Sequence, residues 1–94
     1  MTKADVVKKV SENTGIEKVT VEKTVEAFME TVKESLAKGD NVYLRGFGSF
    51  IVKKRAAKVA RNISKNTTVI VPEHFTPSFK PADNFVEQVK ENVK

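Results

Sequence analysis

The chain has no cysteine, no tryptophan and one histidine, and residues 41–72 contain no aspartate or glutamate. Each absence excludes something. Without cysteine there are no disulfides and no thiolate metal sites, and a reducing compartment is natural. His74 stands without a cluster of metal-ligating side chains, so no metal site is expected. Ser78 lies near His74 in sequence, but no third group completes a nucleophile–base–orienter set, so the chain does not read as an enzyme. Gly46-Phe47-Gly48 carries Ile51 where a dinucleotide fingerprint needs its third glycine, and it does not open a helix. No cofactor and no small-molecule substrate are therefore expected. Long apolar runs are also missing. The longest uncharged stretches, residues 46–52 and 66–72, are seven residues each, far short of a membrane span. The opening MTKADVVKK sets Asp5 and lysines where a secretory leader needs an apolar run, which predicts a cytoplasmic protein with no membrane anchor.

What is present is a segregated charge. The 94 residues hold 17 Lys/Arg and 12 Asp/Glu, for a formal net charge of +5. Seven of the cations, Arg45, Lys53, Lys54, Arg55, Lys58, Arg61 and Lys65, fall in the acid-free window, leaving 10 cations against 12 acids elsewhere. The window is thus +7 and the remainder −2. Such an arrangement concentrates positive potential on one element and favours a polyanionic partner, with nucleic acid foremost.

The length allows one domain, residues 1–94. A basic window that cannot serve as core leaves a body near the size at which a lone core is marginal, so a shared core in a two-fold homodimer is expected. Residues 2–14 read as a helix. Thr2 is the N-cap, Asp5 completes a capping box, Val6, Val7 and Val10 form the apolar stripe, and Gly15 is the stop. Residues 18–38 read as a longer helix. Val21, Val25, Phe28, Met29, Val32 and Leu36 share one face, and Glu22, Glu26, Glu30 and Glu34 run along a solvated one. Gly39 ends it. Residues 41–45 alternate as a strand, 46–48 turn, and 49–53 resume a strand that enters the basic window. Residues 67–71 are β-branched and read as its return, with turn chemistry at 62–66 between them. Residues 53–71 therefore read as one long projecting hairpin. Pro77-Ser78-Phe79 brings the chain back to the body, Pro81 suits the first turn of a last helix, and Phe85, Val86, Val89 and Val93 give that helix its apolar face.

This order of elements, with GFGSF at residues 46–50, Arg61-Asn62 at the hairpin tip, and Pro77-Ser78-Phe79-Lys80 before the last helix, resembles the bacterial histone-like HU family, which includes integration host factor. The resemblance spans essentially all 94 residues. It implies an α+β fold: an intertwined homodimer with a helical base, an antiparallel sheet and a long β-ribbon arm over about residues 53–74. It also implies that two arms bind double-stranded DNA along the minor groove and bend it, the behaviour for which HU and integration host factor are standard examples. Matching positions make Lys3, Lys53, Arg55, Lys58, Arg61 and Lys80 candidate phosphate contacts, and Phe47, Phe50 and Phe79 the aromatic centre of the dimer. Three departures stand out. The family's tip proline is Ile63, its tip glycine is Asn66, and lysines of its last helix are Asp83 and Val86.

The DNA-binding set expected from charge and resemblance together is Lys3, Arg45, Gly46, Lys53, Lys54, Arg55, Lys58, Arg61, Asn62, Ile63, Lys65 and Lys80. Gly46 enters because its missing side chain permits close backbone approach. Ile63 is the expected wedge: an apolar side chain at a hairpin tip has no core to enter, and isoleucine is among the residues that unstack base steps. Phe28, Phe47, Phe50, Phe79 and Phe85 are expected in the core rather than on bases; the sequence assigns no face to Phe75. No helix presents an Arg/Asn/Gln cluster suited to the major groove. The expectation is a nucleoid-associated protein of low sequence specificity that bends and compacts DNA. The alternative is a sequence-preferring bender like integration host factor, and more remotely a basic protein-interaction module. Homodimer and heterodimer with a paralogue both remain open.

Overall fold

Thr2 and Asp5 close a reciprocal cap. The Asp5 N–H donates to Thr2 Oγ1 at 3.4 Å and the Thr2 N–H donates to Asp5 Oδ2 at 2.9 Å. These bonds satisfy donors that an uncapped helix start leaves open, and they hold the Asp5 carboxyl below its usual range, the Thr2 backbone bond being the main cause. Helix α1 (Lys3–Thr14) follows and ends at Gly15, whose φ of +73° is the left-handed stop and whose N–H donates to Ser11 O at 2.9 Å. Helix α2 (Lys18–Ala37) carries the glutamates at 22, 26, 30 and 34 exposed to solvent. These features come from a computed structural model, which describes residues 1–62 and 67–93, with the side chains of residues 60–62 outside the description.

By backbone contacts the chain divides into two compact units, residues 1–35 and 36–94. In the first, α1 is tied to α2 by an ion pair between Lys3 Nζ and Glu26 Oε1 at 2.8 Å. Val7, Val21 and Val32 are the buried apolar side chains among the described residues. The expected stripes are broader than what is buried: Val6, Phe28 and Met29 remain exposed in the single chain. One chain of this size does not cover all its apolar faces.

The second unit is built on an antiparallel sheet. Strands β1 (Val42–Leu44), β2 (Gly48–Arg55) and β5 (His74–Pro81) form three neighbours in the order β1-β2-β5, while β3 (Lys58–Asn62) pairs with β4 (Thr67–Val71) in a separate two-stranded ladder. The β1–β2 turn is closed by the Phe47 N–H donating to Leu44 O at 3.0 Å, with Gly46 at φ +82°. Asn41 extends the pairing beyond the strand itself, its Oδ1 accepting from the Val52 N–H at 2.9 Å. Helix α3 (Asp83–Asn92) closes the chain, its apolar side anchored where Phe85 stacks on Phe47 at 5.6 Å. The fold class is α+β, as expected. No helix among the described residues is long and apolar enough to cross a membrane.

Two readings of the sequence are corrected. Pro81 does not open the last helix: it ends β5 opposite Gly48, and α3 starts at Asp83 after an Ala82 N-cap that makes no side-chain capping bond. Pro77 also sits inside β5, which as an edge strand tolerates a missing N–H. The single continuous hairpin over residues 53–71 is likewise corrected. The β2–β5 ladder stops at Arg55↔His74 and the distal β3–β4 ladder starts at Lys58↔Val71. Residues 56–57 therefore face residues 72–73 without ladder pairing, two on each side, so the register resumes unshifted beyond the gap. Pro72 supplies the reason, since it has no N–H to donate across. Strand β5 begins just past the gap, at His74, and carries the return that the sequence assigned to 77–79.

Gly48 leaves no room for a side chain in the sheet. A Cβ there would sit 2.6 Å from Lys80 O and 2.7 Å from the Phe79 ring. Gly48→Ala is expected to cost about 1–3 kcal/mol, the usual range for overpacking, read as a lower urea midpoint; an unchanged midpoint would mean that β5 shifts freely.

Candidate nucleic-acid interface

The acid-free window folds into β1, β2 and the β3–β4 ladder, with most of its cations from the end of β2 onward. Register fixes which side chains share a face. On β2 and β5, Lys53 and Arg55 stand opposite Thr76 and His74, whereas Lys54 stands opposite Phe75 on the other face. Lys53, Lys54, Arg55 and Lys58 are all exposed. The cations therefore line both faces of the ribbon, which suits a polyanion that surrounds it better than a flat acidic surface. Arg61 and Asn62 end β3, paired with Thr68 and Thr67. Ile63 and Lys65 lie outside the described residues.

A second group of cations gathers at the other end of the sheet. Arg45 and Gly46 in the β1–β2 turn and Lys80 near the end of β5 line one open cleft of about 410 Å³, together with Ser49, Ala82 and Asp83. The pairing of Ser49 with Lys80 is what brings the turn and the strand end together. Asp83 places a carboxylate at the cleft's rim. Lys3 belongs to the helical unit, where the hydrogen bond and charge of Glu26 raise its pKa above the ordinary lysine value. A phosphate would have to compete with Glu26 for that ammonium.

Sequence reasoning missed one participant. Glu73 lies one residue beyond the acid-free window, in the gap between ladders, and pairs with Lys54 Nζ at 3.0 Å. Both side chains are more than half exposed, so the pair is worth at most about 1 kcal/mol. Its signal, an acid directly after Pro72, acquires meaning only once the register sets it beside Lys54. Phe75, left without a face by the sequence, shares the face of Phe50, Val52, Pro77 and Phe79 and is 68% exposed.

The aromatic residues expected at the dimer centre are in mutual contact. Phe79 lies 5.2 Å from Phe47 and 5.0 Å from Phe50 between ring centroids. Phe47 and Phe79 nevertheless remain partly exposed, and an apolar groove of about 360 Å³ runs between Phe79, Pro81, Phe85, Val86 and Val89.

With this geometry in hand, comparison with known proteins is decisive as to kinship. The family model described as bacterial DNA-binding protein matches residues 1–90. DNA-binding protein HU of Thermotoga maritima is 38% identical over 90 residues, covering 96% of this chain and 100% of its own length. Integration host factor subunit beta of Marinobacter nauticus is 38% identical over 95 residues, covering all of this chain and 97% of its own. Among solved structures, an Anabaena HU–DNA cocrystal structure superposes with a TM-score of 0.89 at 34% identity, covering 95% of this chain and 97% of that one. The chain belongs to the bacterial DNA-binding protein family, the group in which HU and integration host factor are found.

Replacing Glu73 by Gln is expected to tighten binding to a DNA duplex by about two- to fivefold at low salt, the worth of one exposed ion pair. The gain should fade as added salt screens the charge. Titration of one duplex at two salt concentrations checks this, and equal affinities at the lower salt would show that Glu73 does not compete for Lys54.

Proposed function

We propose that this protein is an architectural, histone-like DNA-binding protein that acts as a dimer, clasps the duplex with two ribbon arms and bends it. The observation that carries this reading is the acid-free run of cations, with Lys53, Lys54, Arg55 and Lys58 exposed on paired strands, in a chain of the HU and integration host factor family. Residues 1–94 act as one domain with an arm over about residues 53–74. Lys53, Lys54, Arg55, Lys58, Arg61, Asn62 and Lys65 of the arm, Arg45, Gly46 and Lys80 of the cleft, and Lys3 hold the sugar–phosphate backbone. Phosphate contacts position the protein without reading bases. Ile63 wedges a base step from each arm. Bending a site costs about 1–6 kcal/mol, and contacts along the bent flanks offset it.

The dimer supplies what the single chain lacks. Phe47, Phe50 and Phe79 cluster yet stay partly open, and Phe28, Met29 and Val89 are exposed as well. Apolar surface left open in this way is what a second copy covers; a paralogous chain with the same face would serve equally. The role is structural rather than catalytic, in the cytoplasm at the nucleoid. Asp83 and Val86, in place of the family's flank lysines, shorten the wrapped site or weaken binding along the flanks.

Low sequence specificity is favoured, with a preference for flexible or distorted DNA. The whole-length kinship to an integration host factor subunit keeps the sequence-preferring reading alive. Competition between random and selected duplexes at one stated salt concentration separates the two.

The role is tested by gel shift on linear, nicked and four-way-junction duplexes. Tighter binding to the nicked and junction forms is expected, since their deformation is already made, and equal binding to all three would remove the bending role. The wedge is tested separately. Ile63→Ser is expected to reduce the DNA bend angle while leaving most of the affinity, and an unchanged angle removes the wedge.

A further inference from the structure

The distal ladder carries an apolar pair where a solubilising surface would carry polar side chains. Val59 and Ile70 face each other directly across β3 and β4 and are 69% and 73% exposed. They lie on the face opposite Lys58, Val69 and Val71, and those two valines are less exposed. A directly opposed β-branched pair contributes some cross-strand stability. That role needs no such exposure, and an open apolar pair on a thin ribbon is an aggregation hazard unless something covers it.

Resting on the DNA-binding reading, we infer that the Val59–Ile70 face is the side of the arm that seats against the deoxyribose walls of the minor groove, and that it makes the arm prefer DNA to RNA. Two observations select this occupant. The flanking charge complements a polyanion: Lys58 is exposed beside Val59 on β3, though on the opposite face, Arg55 is exposed at the end of β2, and residues 41–72 hold no carboxylate. The pair also sits in a paired, two-residue-wide strip, and a two-stranded ribbon fits a groove that cannot admit a sheet. Deoxyribose presents C–H surface there. An A-form RNA duplex presents 2′-hydroxyls across a wide, shallow minor groove, and burying those against valine and isoleucine leaves them without hydrogen-bond partners. Such a contact displaces water rather than counterions, so it is independent of salt to first order.

The test is the double variant Val59→Thr/Ile70→Thr, which keeps β-branched side chains and the ribbon's strand preference while making the face polar. Dimers of wild type and variant are titrated with a DNA duplex and with an RNA duplex of the same sequence across a salt series. The expected result is a loss of about tenfold or more in DNA affinity, four apolar side chains per dimer being altered. The salt slope should be unchanged and the preference for DNA over RNA should shrink by a similar factor. Val69→Thr, on the opposite face, controls for general weakening of the ribbon and should change affinity less than about twofold. The inference is overturned if the double variant binds DNA as tightly as wild type, if its loss appears as a shallower salt slope, if DNA and RNA weaken alike, or if Val69→Thr costs as much. It is also overturned if the double variant changes only the mass of the free protein, which would assign the pair to contact between copies. Wild-type protein that ignores DNA altogether would instead remove the functional reading itself.

Discussion

Keeping carboxylates away from the ribbon is the constraint on which the rest of the structure depends. Phosphates attract any exposed cation, but a neighbouring acid answers that attraction first and at no cost in ordering a ligand. The protein shows both situations. Lys3 and Lys54 are held by Glu26 and Glu73, whereas no salt bridge is found for Lys53, Arg55 or Lys58 among the described residues. Placing the acids on the three helices, in the loops beside α2 and in the gap after Pro72 leaves the β2–β5 and β3–β4 ladders without a carboxylate. That potential is what a duplex meets first, and released counterions then supply most of the non-specific affinity.

The same economy explains the thin interior. Among the described residues the buried apolar side chains are three valines, while Phe47 and Phe79 stay half-open. A short chain that folds residues 58–62 and 67–71 into a separate two-stranded ladder has little left for a core. Phe47, Phe50, Phe79 and Phe85 form a contiguous patch rather than a closed interior. Gly48 matters here as a spacer: its missing side chain lets β5 lie close enough for the Phe79 ring to reach both Phe47 and Phe50.

Local signals were legible in the sequence and non-local ones were not. Thr2, Asp5 and Gly15 mark α1 because caps act within a few residues, and the alternation at 41–45 marks β1 for the same reason. The gap at residues 56–57 and 72–73 could not be read in advance. Ala56 and Ala57 suit strand or loop equally, and Pro72 matters only through its partner across the ribbon, which depends on register. Pro81 is ambiguous in the sequence because a proline serves equally well at a strand end and at a helix start. For the interface, composition alone located the cations, since an acid-free run needs no fold to be visible. It could not locate the Lys54–Glu73 pair, the shared face of Val59 and Ile70, or the cleft that joins Arg45 to Lys80, each of which is made by pairing residues distant in sequence.

The account's central claim is that the ribbon cations grip a sugar–phosphate backbone, and the salt dependence of duplex binding measures this most directly. With about ten phosphate contacts per dimer, the logarithm of the association constant should fall against the logarithm of salt concentration with a slope near −9. Binding with a slope close to zero, or no binding to duplex DNA at low ionic strength, would contradict it.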